Sequence, residues 1–175
     1  MKKLALFTVL LIMSTAALYA QETEKNDKIM DNVVLKALKT RRSVRSYKKE
    51  QIKDEELKAV LEAGTFAPNG MGKQDSWIVA VQNPQILDQL RKMNAEILGS
   101  TSDPYYGAPT IVLVFGSDPK KWGNSIQDGS LVLGNMMNAA YAIGLGSCWI
   151  NREMQMLSQL SPRYQMAWQP KLTAG

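Results

Sequence analysis

Arg41-Arg42-Ser43-Val44-Arg45-Ser46-Tyr47 crowds three guanidinium groups and a serine hydroxyl at the end of a helical pattern. Like charges at this spacing repel one another unless an anion sits among them, and the planar fork of arginine matches the oxygens of a phosphate. Taken alone, such a cluster is more often a solvated basic turn. The sequence on either side decides between the two readings.

Upstream, Ile29, Val33, Val34, Ala37 and Leu38 recur at steps of three and four from Asp27 onward, the pattern of an amphipathic helix that delivers Arg41. Downstream, Asp54 reads as the N-cap of a second helix. Glu55 and Glu56 complement its dipole, Leu57, Val60 and Leu61 form its buried stripe, and Gly64 ends it. A loop follows over residues 67–74, rich in glycine and carrying Pro68 and Asn69. Residues 77–81 then read as a strand. Asn83 with Pro84 starts a third helix. The apolar run Thr110-Ile111-Val112-Leu113-Val114 is continuous, which predicts a strand buried on both faces.

The longest helix is expected over residues 125–143. Apolar residues cover most of its circumference, interrupted by Gln127, Asp128, Asn135 and Asn138, which suits a core spine that also meets a partner subunit better than a membrane span. A glycine turn then leads to a short strand at residues 147–150. Helix, helix, strand, helix, strand, helix, strand makes an α+β sandwich, a central sheet flanked by helices.

Composition bounds the chemistry. Residues 1–20 read as an export signal: Lys2 and Lys3, a short apolar core, then small residues up to Gln21. The apolar run is too short to span a bilayer. Of 175 residues, removal of those 20 leaves 155, enough for one domain, and residues 21–26 form a flexible lead-in. The formal charge of +5 falls to +3 once Lys2 and Lys3 leave, too small and too scattered for a nucleic-acid groove. The single cysteine, Cys148, permits no intramolecular disulfide and reads as a small apolar group. The chain has no histidine at all. Serine or cysteine nucleophiles paired with histidine, and most zinc sites, are thereby excluded, so an enzyme of this composition would take its reactive chemistry from an organic cofactor. No metal site is expected.

Three segments taken together resemble the nitroreductase family of flavin enzymes. They are the arginine segment 41–47, Ala67-Pro68-Asn69-Gly70-Met71-Gly72-Lys73-Gln74, and Gly144-Leu145-Gly146-Ser147-Cys148-Trp149-Ile150. The resemblance covers residues 27–152. It implies a homodimer holding one FMN in each of two interface sites. It also implies hydride transfer from a reduced donor, usually NAD(P)H, to an electron-poor acceptor such as a nitroaromatic or quinone. Carried over by position, Arg41, Arg42, Ser43 and Arg45 would meet the FMN phosphate and ribityl chain. Pro68, Asn69 and Gly70 would approach the ring from the partner subunit, with Gln74 close to this loop and Gly72 where many members have asparagine. Trp149, Ile150 and Asn151 would lie beside the isoalloxazine. No side chain need act as a nucleophile.

The resemblance stops at Arg152. Members of the family continue through another helix and a sheet strand, whereas residues 153–175 read as the start of a helix followed by an atypical tail, leaving the sheet incomplete. Two other readings therefore stay open, a flavin-binding protein without turnover and an exported interaction module using its basic patch. Outside the cytoplasm, where nicotinamide is scarce, the donor could be a different compound.

Overall fold

The computed structural model describes residues 13–15, 17–19, 21–25, 31–118 and 120–152. The atypical tail expected over 153–175 lies outside the described residues. So does most of the expected export signal, of which 13–15 and 17–19 are helical and exposed. Residues 21–25, expected as a flexible lead-in, are also helical and exposed, with Thr23 Oγ1 donating to the Tyr19 carbonyl at 2.7 Å.

The chain divides into two compact units, residues 1–41 and 42–175. In the first unit, α1 (Val33–Thr40) begins where the Asn32 side chain accepts from the N–H groups of Val34 and Leu35. The start expected at Asp27 lies outside the described residues. Ile29 of the expected stripe lies outside the described residues; of its described members only Ala37 is buried, while Val33, Val34 and Leu38 are more than half exposed.

The second unit holds α2 (Asp54–Thr65), a single 3₁₀ turn (Gly70–Gly72), β1 (Trp77–Val81), α3 (Pro84–Leu98), β2 (Ile111–Phe115) and α4 (Ser125–Ala142). The cap of α2 is Lys53 rather than Asp54. Glu56, three residues on, reaches back to accept from the Lys53 N–H at 3.0 Å, so the capping carboxyl comes from inside the first turn. Gly64 does not end α2 either. A Cβ there would stand 2.8 Å from Met136 Cγ and 2.9 Å from Ile78 Cδ1, so this glycine lets α2 lie close against α4. Asn83 and Pro84 open α3 as expected, Asn83 Oδ1 accepting from the N–H groups of Gln85 and Ile86, and Gly99 closes it at φ 65°.

β1 and β2 pair antiparallel, from Trp77 opposite Phe115 to Val81 opposite Ile111. On one face of this ribbon Ile78, Val112 and Val114 pack against Val60 of α2 and Val132, Met136 and Ala140 of α4. On the other, Val79, Val81, Ile111 and Leu113 pack with Leu87 of α3 and with Tyr105. Two covered faces explain the unbroken apolar run of β2, and the helix-flanked α+β arrangement expected from the sequence is present. The sheet is narrower than expected. Residues 147–150 form no strand, because only Ser147 meets a neighbouring extended segment, in one parallel bridge to Ser43. Among the described residues no helix is long and apolar enough to cross a membrane.

Candidate functional site

The parallel bridge between Ser43 and Ser147 is the structural centre of the site. The Val44 N–H donates to the Ser147 carbonyl at 3.0 Å, and three residues further on the Tyr47 N–H donates to the Tyr106 carbonyl at 3.3 Å. The arginine segment and the glycine turn, about a hundred residues apart in sequence, thus run side by side. Gly146 makes the approach possible. A Cβ at this position would lie 2.9 to 3.1 Å from three carbons of the Val44 side chain. Gly144, at φ 84°, turns the chain out of α4 into this segment.

Arg42, Ser43 and Arg45 are exposed along the segment. Among the described residues no carboxyl group forms an ion pair with Arg45. Arg41 belongs to the first unit, where its N–H donates to the Ala37 carbonyl at 3.0 Å and closes α1. In the glycine turn Trp149 is 42% exposed. Ile150 packs with the second core cluster, and Asn151 is exposed in a turn. Ser147 Oγ is buried and has no hydrogen-bond partner among the described residues.

The loop 68–74 is tied elsewhere. Pro68 and Gln74 are exposed and Asn69 and Gly70 half-buried. Asn69 Oδ1 accepts from the Gln74 N–H at 2.9 Å, closing the loop on itself, and Met71, Gly72 and Gln74 inside it all have positive φ. Two of those three are not glycine, a conformation that persists only where the surroundings impose it. The surroundings here are Asp128 of α4 and Trp122. Asp128 Oδ1 accepts from the Gly70 N–H at 2.9 Å, its Oδ2 accepts from Trp122 Nε1–H at 2.8 Å, and the Lys73 ammonium stands 3.9 Å from the centre of the Trp122 ring. Neither Trp122 nor Lys73 was singled out from the sequence, and Asp128 stood out only as an interruption of an apolar helix. A charged residue four positions before Val132, on the stripe continued by Met136 and Ala140, was the available signal.

A cavity of about 570 Å³ opens beside the bridge, lined among others by Tyr47, Tyr106, Met136, Ser147 and Cys148. Of the residues chosen from the sequence as cofactor contacts, Ile150 alone lines it, so this cavity is not the space those residues surround. Burial, followed by the nearby Cys148 and Tyr106, pushes the Tyr47 phenol up to about 12, against a smaller opposing effect of Arg45. The folded protein therefore keeps this proton to about pH 12, whereas an unfolded tyrosine releases it near 10.0. The stabilisation from Tyr47 is complete below that lower value and is lost as pH rises toward the higher one. Tyr47→Phe should flatten the fall in melting temperature over this alkaline window. An equally steep fall in the variant would show that other groups govern it.

The sequence model of the nitroreductase family matches residues 38–154, a span that includes the arginine segment from Arg41 onward, the loop 68–74 and the glycine turn. The chain is 31% identical over 120 residues to a candidate NADH dehydrogenase/NAD(P)H nitroreductase of Archaeoglobus fulgidus, covering 66% of each protein. It is 29% identical over 122 residues to a protein of the same description from Methanothermobacter thermautotrophicus. The chain spans 59% of that relative's length and 66% of the former's. Among solved structures, a nitroreductase with bound FMN from Bacteroides fragilis superposes with a TM-score of 0.66 at 32% identity, over 79% of this chain and 81% of that one. The match embraces both partners of the Ser43–Ser147 bridge and well over half of the sequence, and on that ground the chain belongs to the nitroreductase family.

Proposed function

We propose that the protein is an FMN-dependent oxidoreductase that moves hydride from a reduced donor, in this reading NAD(P)H, to an electron-poor acceptor such as a nitroaromatic or quinone. The observation that carries the proposal is the Val44 to Ser147 hydrogen bond, which joins a cationic segment to a glycine turn within one site. The donor set fits the group. Exposed Arg42 and Arg45 flank the exposed Ser43 hydroxyl, and the buried Ser147 Oγ beside them has a free hydrogen-bonding capacity among the described residues. Such a set suits a phosphate ester with a polyol attached. The nitroreductase of Bacteroides fragilis, similar over most of its length, is described with bound FMN.

In this reading Arg42 and Arg45 neutralise the phosphate, and Ser43 donates to it. Asn69 and Gln74 offer hydrogen bonds near the ring, while Pro68, Gly70 and Trp149 to Asn151 shape a flat slot and limit water. When bound, FMN supplies the two-electron chemistry that no side chain of this chain provides. The functional unit is a homodimer, an arrangement that would give the exposed Ile126, Leu131 and Tyr141 of α4 an apolar partner. Export follows from Lys2, Lys3 and the apolar run behind them, and the periplasm is the expected destination.

The test is the visible spectrum of the purified protein before and after addition of FMN. Flavin bands that stay with the protein through gel filtration, at the size of a dimer, are the expected result, followed by bleaching with NAD(P)H and recovery with a quinone. A colourless protein that takes up no FMN overturns the proposal, and stable uptake without turnover by any donor would limit it to flavin binding. The intact mass of the same preparation from an export-competent host reports whether residues 1–20 have been removed.

A further inference from the structure

We infer that Asp128 is a positioning residue, which sets the conformation of the loop 68–74 and through it the fit of the flavin. The inference rests on the FMN reading above for its functional consequence and on geometry alone for the clamp itself.

Asp128 is 3% exposed. It lies in the first turn of α4, where an acidic residue is common because of the helix dipole, yet neither of its oxygens is given to that helix. One holds the Gly70 N–H and the other the Trp122 indole N–H. Both contacts converge on the same loop. Trp122 covers Gly70 so closely that a Cβ there would stand 2.6 Å from its Cζ2, and the same ring carries the Lys73 ammonium. Loop residues 70 and 73 are thus each fixed, one directly and one through the indole. Between and beyond them the backbone takes left-handed conformations at Met71, Gly72 and Gln74. Conformations of that kind relax when their restraint is removed. The hydrogen bond from the Gln74 backbone N–H to Asn69 Oδ1 spans this strained section, so the positions of Asn69 and Gln74, the two loop residues offered to the flavin, depend on the clamp.

Asp128→Asn tests the inference. The amide offers one acceptor where the carboxylate offers two and carries no charge, so it cannot satisfy the Gly70 N–H and the indole N–H together, and the clamp weakens at both without a change in size. Hydrogen exchange should show protection of the Gly70 amide falling at least tenfold, and trypsin should cut after Lys73 faster, with helix content unchanged. Affinity for FMN and for riboflavin should fall together by about tenfold, the order expected for one lost charge-assisted hydrogen bond, because the phosphate contacts are untouched. Unchanged Gly70 protection in a folded Asp128→Asn protein overturns the inference, whatever the flavin does. Loop opening with unaltered flavin affinity overturns its functional half. If the unmodified protein binds no FMN, the FMN reading falls, and the exchange and cleavage results still judge the clamp. Trp122→Phe, which keeps the ring and removes only the indole donor, should give a smaller change of the same kind and serves if Asp128→Asn does not fold.

Discussion

Alanine at both Arg42 and Arg45 should raise the Kd for FMN by roughly 10²–10⁴-fold while leaving riboflavin binding nearly unchanged. Each charge-assisted hydrogen bond to a phosphate oxygen is worth about 1.5–3 kcal/mol, and two of them account for that range at about 1.4 kcal/mol per decade. Riboflavin lacks the phosphate and keeps the ring, so the pair of ligands separates loss of the anchor from collapse of the slot. Both arginines are exposed, and their removal leaves the two core clusters intact, so stability should hold. Titration of flavin fluorescence gives both constants. Equal weakening of the two ligands would move the phosphate away from this segment and overturn the assignment.

The second large effect is expected at Gly146. Alanine there would bring a methyl group to 2.9 Å from Val44 Cγ2, 3.0 Å from its Cβ and 3.1 Å from its Cγ1. Valine is branched at Cβ and has little rotameric freedom to yield, so the two segments must separate. Overpacking of this kind costs about 1–3 kcal/mol and should break the Val44 to Ser147 hydrogen bond as well. Denaturant melts should therefore shift to lower midpoints, and FMN affinity should fall with them. Val44→Ala in the same chain removes two of the three close carbons and should recover part of the loss, a coupling that a double-mutant cycle reads directly. An unchanged midpoint for Gly146→Ala alone would show that the segments are not held at this distance.

Local signals in the sequence carried much of the fold. Asn83-Pro84 announced α3 because one side chain satisfies two free N–H groups while proline needs none. The unbroken run of β2 announced two covered faces. The errors came where distant residues decide a local question. Gly64 was read as a helix end because the chain carries no sign of Met136 lying against it, and Asp54 was read as a cap because the reach of Glu56 depends on backbone geometry. The apolar stripe of α1 was real, yet spacing alone does not say whether a stripe is covered, and most of it is exposed.

The site divides in the same way. The arginine segment and the glycine turn could be singled out from the sequence, since clusters of this kind have a chemistry of their own. Asp128 could not, because its partners Gly70 and Trp122 come together only through the fold. A carboxyl group on an otherwise apolar stripe asks for donors without saying which ones. Cys148 illustrates the middle case: read as a small apolar group, it is half-buried beside Tyr47 at the cavity wall, where its effect is on the phenol's proton.

The Ser43–Ser147 bridge also sets an order of events during synthesis. Its first half leaves the ribosome early and waits for about a hundred further residues before its second half emerges, and closing so long a loop is among the slower steps in forming a small protein. Until then the guanidinium groups have no turn to lie against. If the proposed FMN rests on both strands of the bridge, it can be loaded only once residues 144–150 have been made, so a nascent chain stalled before Gly144 would remain colourless even in a cell rich in flavin.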